Sequence, residues 1–204
     1  MAGRNRYRNW LLVVILCAIV SGCASTRLTS SWQDPKDAGQ PLTKVMVFGV
    51  TRQTTTRRIF EDELVRQLQA RGLQAIASYT LIPEDGEVPQ TRLQQAINES
   101  GVDGLLVTRL VKVDKETQIY PGSYVGPPYY GFYGFYSSAW MGFYEPPQVY
   151  TYDVVTAETN LFRTNPDHVI WSGTTETFSP RDVTKDTREF AEIIIKALSA
   201  KKLI

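Results

Sequence analysis

Lys44-Val45-Met46-Val47-Phe48-Gly49-Val50 is a short, unbroken apolar run, and it opens the folded part of the chain. A run of this length without polar alternation is the pattern of a strand buried on both faces. Thr54, Thr55 and Thr56 follow and supply N-cap candidates. Ile59, Phe60, Leu64 and Leu68 then recur at helical spacing, with Arg57, Arg58, Glu61, Asp62, Arg66 and Gln67 between them. The run therefore predicts a buried strand feeding an amphipathic helix.

Working outward towards the C-terminus, Gly72 suits a helix stop and residues 73–77 read as a second short strand. A loop around Pro83, Asp85 and Gly86 leads to Pro89, and Leu93, Ala96 and Ile97 mark a second helix ending near Gly101. A third strand begins at Asp103-Gly104-Leu105-Leu106-Val107 and alternates through Leu110, Val111 and Val113 towards Ile119. This βαβαβ order favours neighbouring parallel strands with helices packed on the sheet. Residues 149–162 alternate apolar with polar, residues 168–178 read as another strand, and Asn165-Pro166-Asp167 is the turn between them. A last helix over residues 182–202 carries Phe190, Ile194, Ala197 and Leu198 on one face. The expectation is an α/β domain over residues 44–204: a mixed sheet of about five strands, order βαβαβββα, covered by helices.

Gly101-Val102-Asp103-Gly104 leads into the third strand and Ile170-Trp171-Ser172-Gly173 lies in the fifth. With the opening Val-Met-Val-Phe strand and its helix, this order resembles the TolB amino-terminal-like domains of periplasmic proteins. That group includes the periplasmic part of the curli secretion lipoprotein and several envelope lipoproteins of unknown function. The resemblance implies a TolB-N-like fold in the cell envelope. Amphipathic pore-forming hairpins of the curli type are not seen, so secretion is not implied.

The segment 120–147 departs from that pattern. Eleven of its 28 residues are aromatic, close to half of the 23 in the whole chain, and its one charged residue is Glu145. Its glycines and prolines preclude a regular helix or a central strand, so the rings are presented on a loop. Tyr129, Tyr130, Phe132, Tyr133, Phe135, Tyr136, Trp140, Phe143 and Tyr144 form the candidate contact surface. Three readings stand beside one another: rings folded back on the domain, a surface for an envelope protein or a second copy, and a seat at lipid headgroups or on glycans.

Towards the N-terminus, residues 24–42 are rich in Ser, Thr, Asp, Gly, Pro and Gln, with Trp32 as the one aromatic residue, and read as a linker. Before it, Arg4, Arg6 and Arg8 precede an eleven-residue apolar run, residues 10–20. That length fits a secretory signal and falls short of the roughly 18 to 20 residues of a spanning helix. Val20-Ser21-Gly22-Cys23 closes the run and resembles the lipobox of bacterial lipoproteins. The resemblance implies cleavage after Gly22, a signal peptide over 1–22, palmitate-type acylation of Cys23, a lipidated tether over 23–43 and the bilayer as a partner. Ala24 follows the cysteine instead of aspartate, which in that family favours the outer membrane, with the domain in the periplasm. Cys17 lies inside the signal, so no thiol remains for a disulfide, redox pair or metal site.

Without the signal's three arginines, 19 basic residues face 21 acidic ones, which argues against nucleic acid as a partner. His168 is the single histidine and sits at a turn, which excludes a His-based triad or a multi-His metal site. Consecutive Glu61, Asp62 and Glu63 point in different directions from a helix and read as a solvated face. No phosphate-cradling glycine motif is present. No catalytic residue, metal ligand or cofactor is expected. The sequence reading is a non-enzymatic anchored lipoprotein acting as a binding or assembly module. A structural bridge between membrane and cell wall is the alternative, and an envelope hydrolase using Ser, Asp or Glu ranks behind both.

Overall fold

The computed structural model describes residues 25–37, 39–125 and 143–204. The opening apolar run is strand β2 (Lys44–Val50), with β1 (Thr26–Gln33) before it. Next come helix α1 (Thr54–Gln69), β3 (Gln74–Ala77), helix α2 (Gln90–Ser100) and the long strand β4 (Gly104–Tyr120). Short strands β5 (Ser123–Val125) and β6 (Phe143–Glu145) pair only with each other. The chain returns as β7 (Gln148–Thr164) and β8 (Asp167–Phe178) and ends on helix α3 (Val183–Ala200).

The six-stranded sheet has the order β1-β8-β7-β4-β2-β3. β2 pairs in parallel with β3 and β4, as the βαβαβ order predicts, and every other pairing is antiparallel. The main core is a cluster of Val45, Val47, Leu106, Leu161 and Trp171 from the sheet with Leu64, Leu68, Ile194 and Leu198 from α1 and α3. Phe60 and Phe190 join the two helices, with ring centroids 5.4 Å apart. Gly173 is required by this packing, because a Cβ there would collide with the buried indole of Trp171. Helix α2 is stopped by Gly101, whose φ of 61° lies in the left-handed region that glycine adopts without strain.

Several expectations are corrected. The sheet has six strands instead of about five, because residues 26–33, expected to belong to the tether, form the edge strand β1. Its Ser/Thr-rich composition hides an alternation in which Thr26 is buried and Leu28 packs against the core. The hydroxyls of Thr26 and Thr177 meet at 2.9 Å. Two further residues of the expected linker are also built in: Asp37 is clasped by Arg163, and Leu42 is buried with its N–H donating to the Leu203 carbonyl. The Arg163 hydrogen bond holds the Asp37 carboxyl below its ordinary range. Gln53, not one of the three threonines, occupies the N-cap of α1, and Thr54–Thr56 lie inside the helix. Helix α3 starts as its sequence predicts, with Asp182 accepting from the Lys185 N–H at 2.9 Å.

Glu61 is the sharpest correction to the acidic trio: it is fully buried, not part of a solvated face. The lipobox residues Val20, Ser21, Gly22 and Cys23 and the aromatic residues Tyr129, Tyr130, Phe132, Tyr133, Phe135, Tyr136 and Trp140 lie outside the described residues.

Candidate functional site

β4 and β7 outrun the rest of the sheet. β2 stops where Val50 faces Arg109, and β8 stops where Phe178 faces Val154. Beyond that level the pair continues alone from Lys115 opposite Asp153 to Tyr120 opposite Gln148. A register shift between Leu110 and Lys112 marks where the pair leaves the body, and such a bulge adds local twist. Among the described residues, the result is a two-stranded arm whose faces meet no helix.

Strand register sorts the arm's side chains. Glu116, Gln118 and Tyr120 share one face with Tyr152, Tyr150 and Gln148, while Thr117 and Ile119 share the other with Thr151 and Val149. Ile119 is 66 % exposed and Val149 61 %, and Val113, Tyr120 and Tyr150 are also more than half exposed. Local contacts order this ribbon without covering it. Tyr120 and Tyr150 meet edge to face at 5.6 Å, and the Thr117 and Thr151 hydroxyls lie 3.2 Å apart. Tyr152 donates to Glu116 at 3.1 Å, which raises the phenol above its ordinary value. At the root, Tyr152 packs near Phe178, whose ring lies 4.7 Å from the Arg27 guanidinium carbon.

Of the nine aromatic residues singled out in the sequence, Phe143 and Tyr144 fall in β6, opposite Val125 and Tyr124. The described part of the surface is instead made by Val113, Ile119, Val149 and Tyr150, which the sequence reading had placed in a sheet, and by Tyr120, expected at the start of the loop and found at the end of β4. Tyr120, Pro121, Gly122, Pro146, Gln148 and Tyr150 line a hollow of about 480 Å³ at its far end.

Two other features concentrate polar groups or open space. Glu61 accepts from the Gly49 N–H at 3.0 Å, Arg57 Nε at 3.0 Å, Ser78 Oγ at 2.8 Å and the Tyr79 N–H at 3.0 Å. Arg57, itself buried, spends its other donors on Ser78 Oγ and the carbonyls of Ile82 and Glu84. This pair ties β2, α1 and the loop before α2 together, and both members are saturated by the protein itself. Asp62 takes the Tyr79 hydroxyl at 2.7 Å, while Glu63 faces Arg66, whose hydrogen bond lowers the Glu63 carboxyl. The trio diverges, as its spacing predicts. Among the described residues no group of three or more His, Cys, Asp or Glu side chains could hold a metal ion. His168 accompanies its turn, with Nδ1 2.8 Å from the Pro166 carbonyl and Nε2 3.8 Å from Asp37.

The second feature is an open groove of about 890 Å³ between Leu93 and Ile97 of α2 and Phe48, Leu105 and Val107 of the sheet. It is apolar, with Arg52 and Glu87 among its walls.

No family model and no curated protein matches this chain. Among solved structures it is similar to the PelC dodecamer from Paraburkholderia phytofirmans, at 16 % identity and a TM-score of 0.42, over 88 % of this chain and 97 % of that one. A single-residue variant of that dodecamer aligns at 13 % identity and a TM-score of 0.44, over 83 % of this chain and 94 % of that one.

Proposed function

We propose that this chain is a non-enzymatic lipoprotein, anchored through acylated Cys23 in the outer membrane with its domain in the periplasm, and that it works as a binding or assembly module of the cell envelope. The observation that carries the reading is the arm. A two-stranded ribbon with exposed Ile119, Tyr120, Val149 and Tyr150, and with exposed Val113 just below its root, holds apolar and tyrosyl groups out for contact. The saturation of Glu61 and the divergence of Asp62 and Glu63 support a module without acid/base chemistry. The narrower kinship with TolB amino-terminal-like domains is part of this proposal and rests on the element order from β2 to α3.

The test pairs fractionation with in-cell photocrosslinking. Wild-type chain should sediment with outer membranes and the Cys23→Ser variant should not. A photoreactive residue at Val113 should capture one reproducible envelope protein or a second copy. Inner-membrane sedimentation would contradict the address, and absence of any protein adduct at Val113 would contradict the module.

A further inference from the structure

The root of the arm and the start of the described chain lie at the same end of the sheet. The Phe178 N–H donates to the Ser25 carbonyl at 2.8 Å, and Phe178 faces Val154, which faces Asp114. Ser25 has no slack, because its N–H and hydroxyl both donate to Glu189, at 2.9 and 2.8 Å. Ser25 therefore sits level with Asp114, and Cys23 is only two residues before it. Two residues span at most roughly 7 Å. Tyr120 stands six residues beyond Asp114 along β4, roughly 20 Å further out at strand rise. The arm thus outreaches the acylated cysteine by on the order of 13 Å even with residues 23 and 24 drawn out alongside it.

We propose that the distal arm, Thr117–Gly122 with Pro146–Thr151, lies in the lipid headgroup layer of the bilayer that holds Cys23. The inference rests on the anchored reading above and assigns only the distal arm to the bilayer, leaving the exposed surface around Val113 for the protein contact. The body cannot enter the bilayer, so an anchor at the arm's root leaves the arm either pointing at the surface or lying along it. Straight insertion is disfavoured: a two-stranded ribbon carries two rows of unpaired backbone N–H and C=O groups, which hydrocarbon leaves unsatisfied. The headgroup layer is only roughly 5 to 7 Å deep per leaflet, so the ribbon lies along it, where backbone, tyrosyl hydroxyls and Gln118 keep polar partners.

Charge placement agrees independently with the geometry. Lys112, Asp114, Lys115, Glu116 and Asp153 surround the root, and the charges stop at Glu116, two residues past the level of Ser25. From Thr117 to Thr151 the sequence contains a single charged residue, Glu145, in 35 positions, whereas the whole chain carries 22 basic and 21 acidic residues. The uncharged part of the ribbon begins where the reach of the anchor ends.

The test uses full-length protein purified in its acylated form, in which Cys17 is removed and Cys23 is blocked. Tyr150→Cys at the distal arm and Asn165→Cys at the opposite end of β7 are each labelled with the same environment-sensitive fluorophore. The protein is placed in phosphatidylethanolamine/phosphatidylglycerol vesicles carrying a headgroup nitroxide lipid. Quenching at position 150 should exceed that at 165 at least threefold, with a blue-shifted emission. Equal quenching at the two positions on protein that carries label from palmitate would overturn the placement alone. Absence of palmitate label from the wild-type chain, with Cys23→Ala as the control, would overturn the anchor and the placement with it.

Discussion

β4 and β7 remain paired for their whole length, yet their two ends lead different lives. Near Gly104 and Arg163, Leu106 and Leu161 face each other at 1 % and 0 % exposure under α1 and α3. Near Tyr120 and Gln148, beyond the one-residue register shift at Leu110/Lys112, Ile119 and Val149 also face each other and stay exposed. Cross-strand pairing is alike in both halves; only the third layer differs. Alternation along a strand reports which residues share a face, and whether that face is core or contact surface depends on what packs over it.

Substitutions should separate along this division. The largest loss is expected where the covered half is tied by charge. Arg57→Ala leaves buried Glu61 without its ion-pair partner and should cost about 3 to 5 kcal/mol in urea unfolding. Leu161→Ala should follow at about 2 to 5 kcal/mol, because it opens a cavity between the sheet and the helices.

A smaller effect is expected at the clasp that fixes Ser25. The Ser25 hydrogen bonds lower the Glu189 carboxyl below its ordinary value of 4.5. Its contribution is therefore fully present above that value and fades as pH falls through the lowered folded one. Glu189→Gln should cost about 1 kcal/mol at pH 7, and the gap between variant and wild type should close in acid unfolding curves. On the arm, Ile119→Ser and Val149→Ser should stay within about 0.5 kcal/mol. Replacing residues 117–151 by an Asn-Gly turn between Glu116 and Tyr152 should leave the urea midpoint of the body nearly unchanged. A drop as large as that of Leu161→Ala would mean that the distal arm belongs to the core after all.

The sequence was legible where one physical signal dominated. β2 is an unbroken apolar run, α1 and α3 carry apolar residues at helical spacing, and Gly101 marks a stop that only a left-handed residue makes cheaply. β1 was hidden because its stabilising contacts, Thr26 on Thr177 and the partly covered Leu28, are carried by a Ser/Thr-rich run that reads as a tether. Glu61 was hidden by its neighbours, since three adjacent acidic residues suggest solvent until Gly49, Ser78, Tyr79 and Arg57 are seen to converge on one of them. The contact surface was only half legible. Its aromatic richness could be read, but its described residues alternate as a half-buried strand would, and only the lengths of β2 and β8 reveal that no other described element covers them.

Amide hydrogen exchange on the full-length acylated protein in vesicles, set against the unanchored Cys23→Ser variant in solution, tests most directly whether the arm makes the contact. Peptides covering Thr117–Tyr120 and Gln148–Thr151 should exchange at least tenfold more slowly in the vesicle sample, while those covering Leu105–Thr108 and α3 stay as they were. Unchanged exchange in the arm, or slowing confined to the body, would contradict the account.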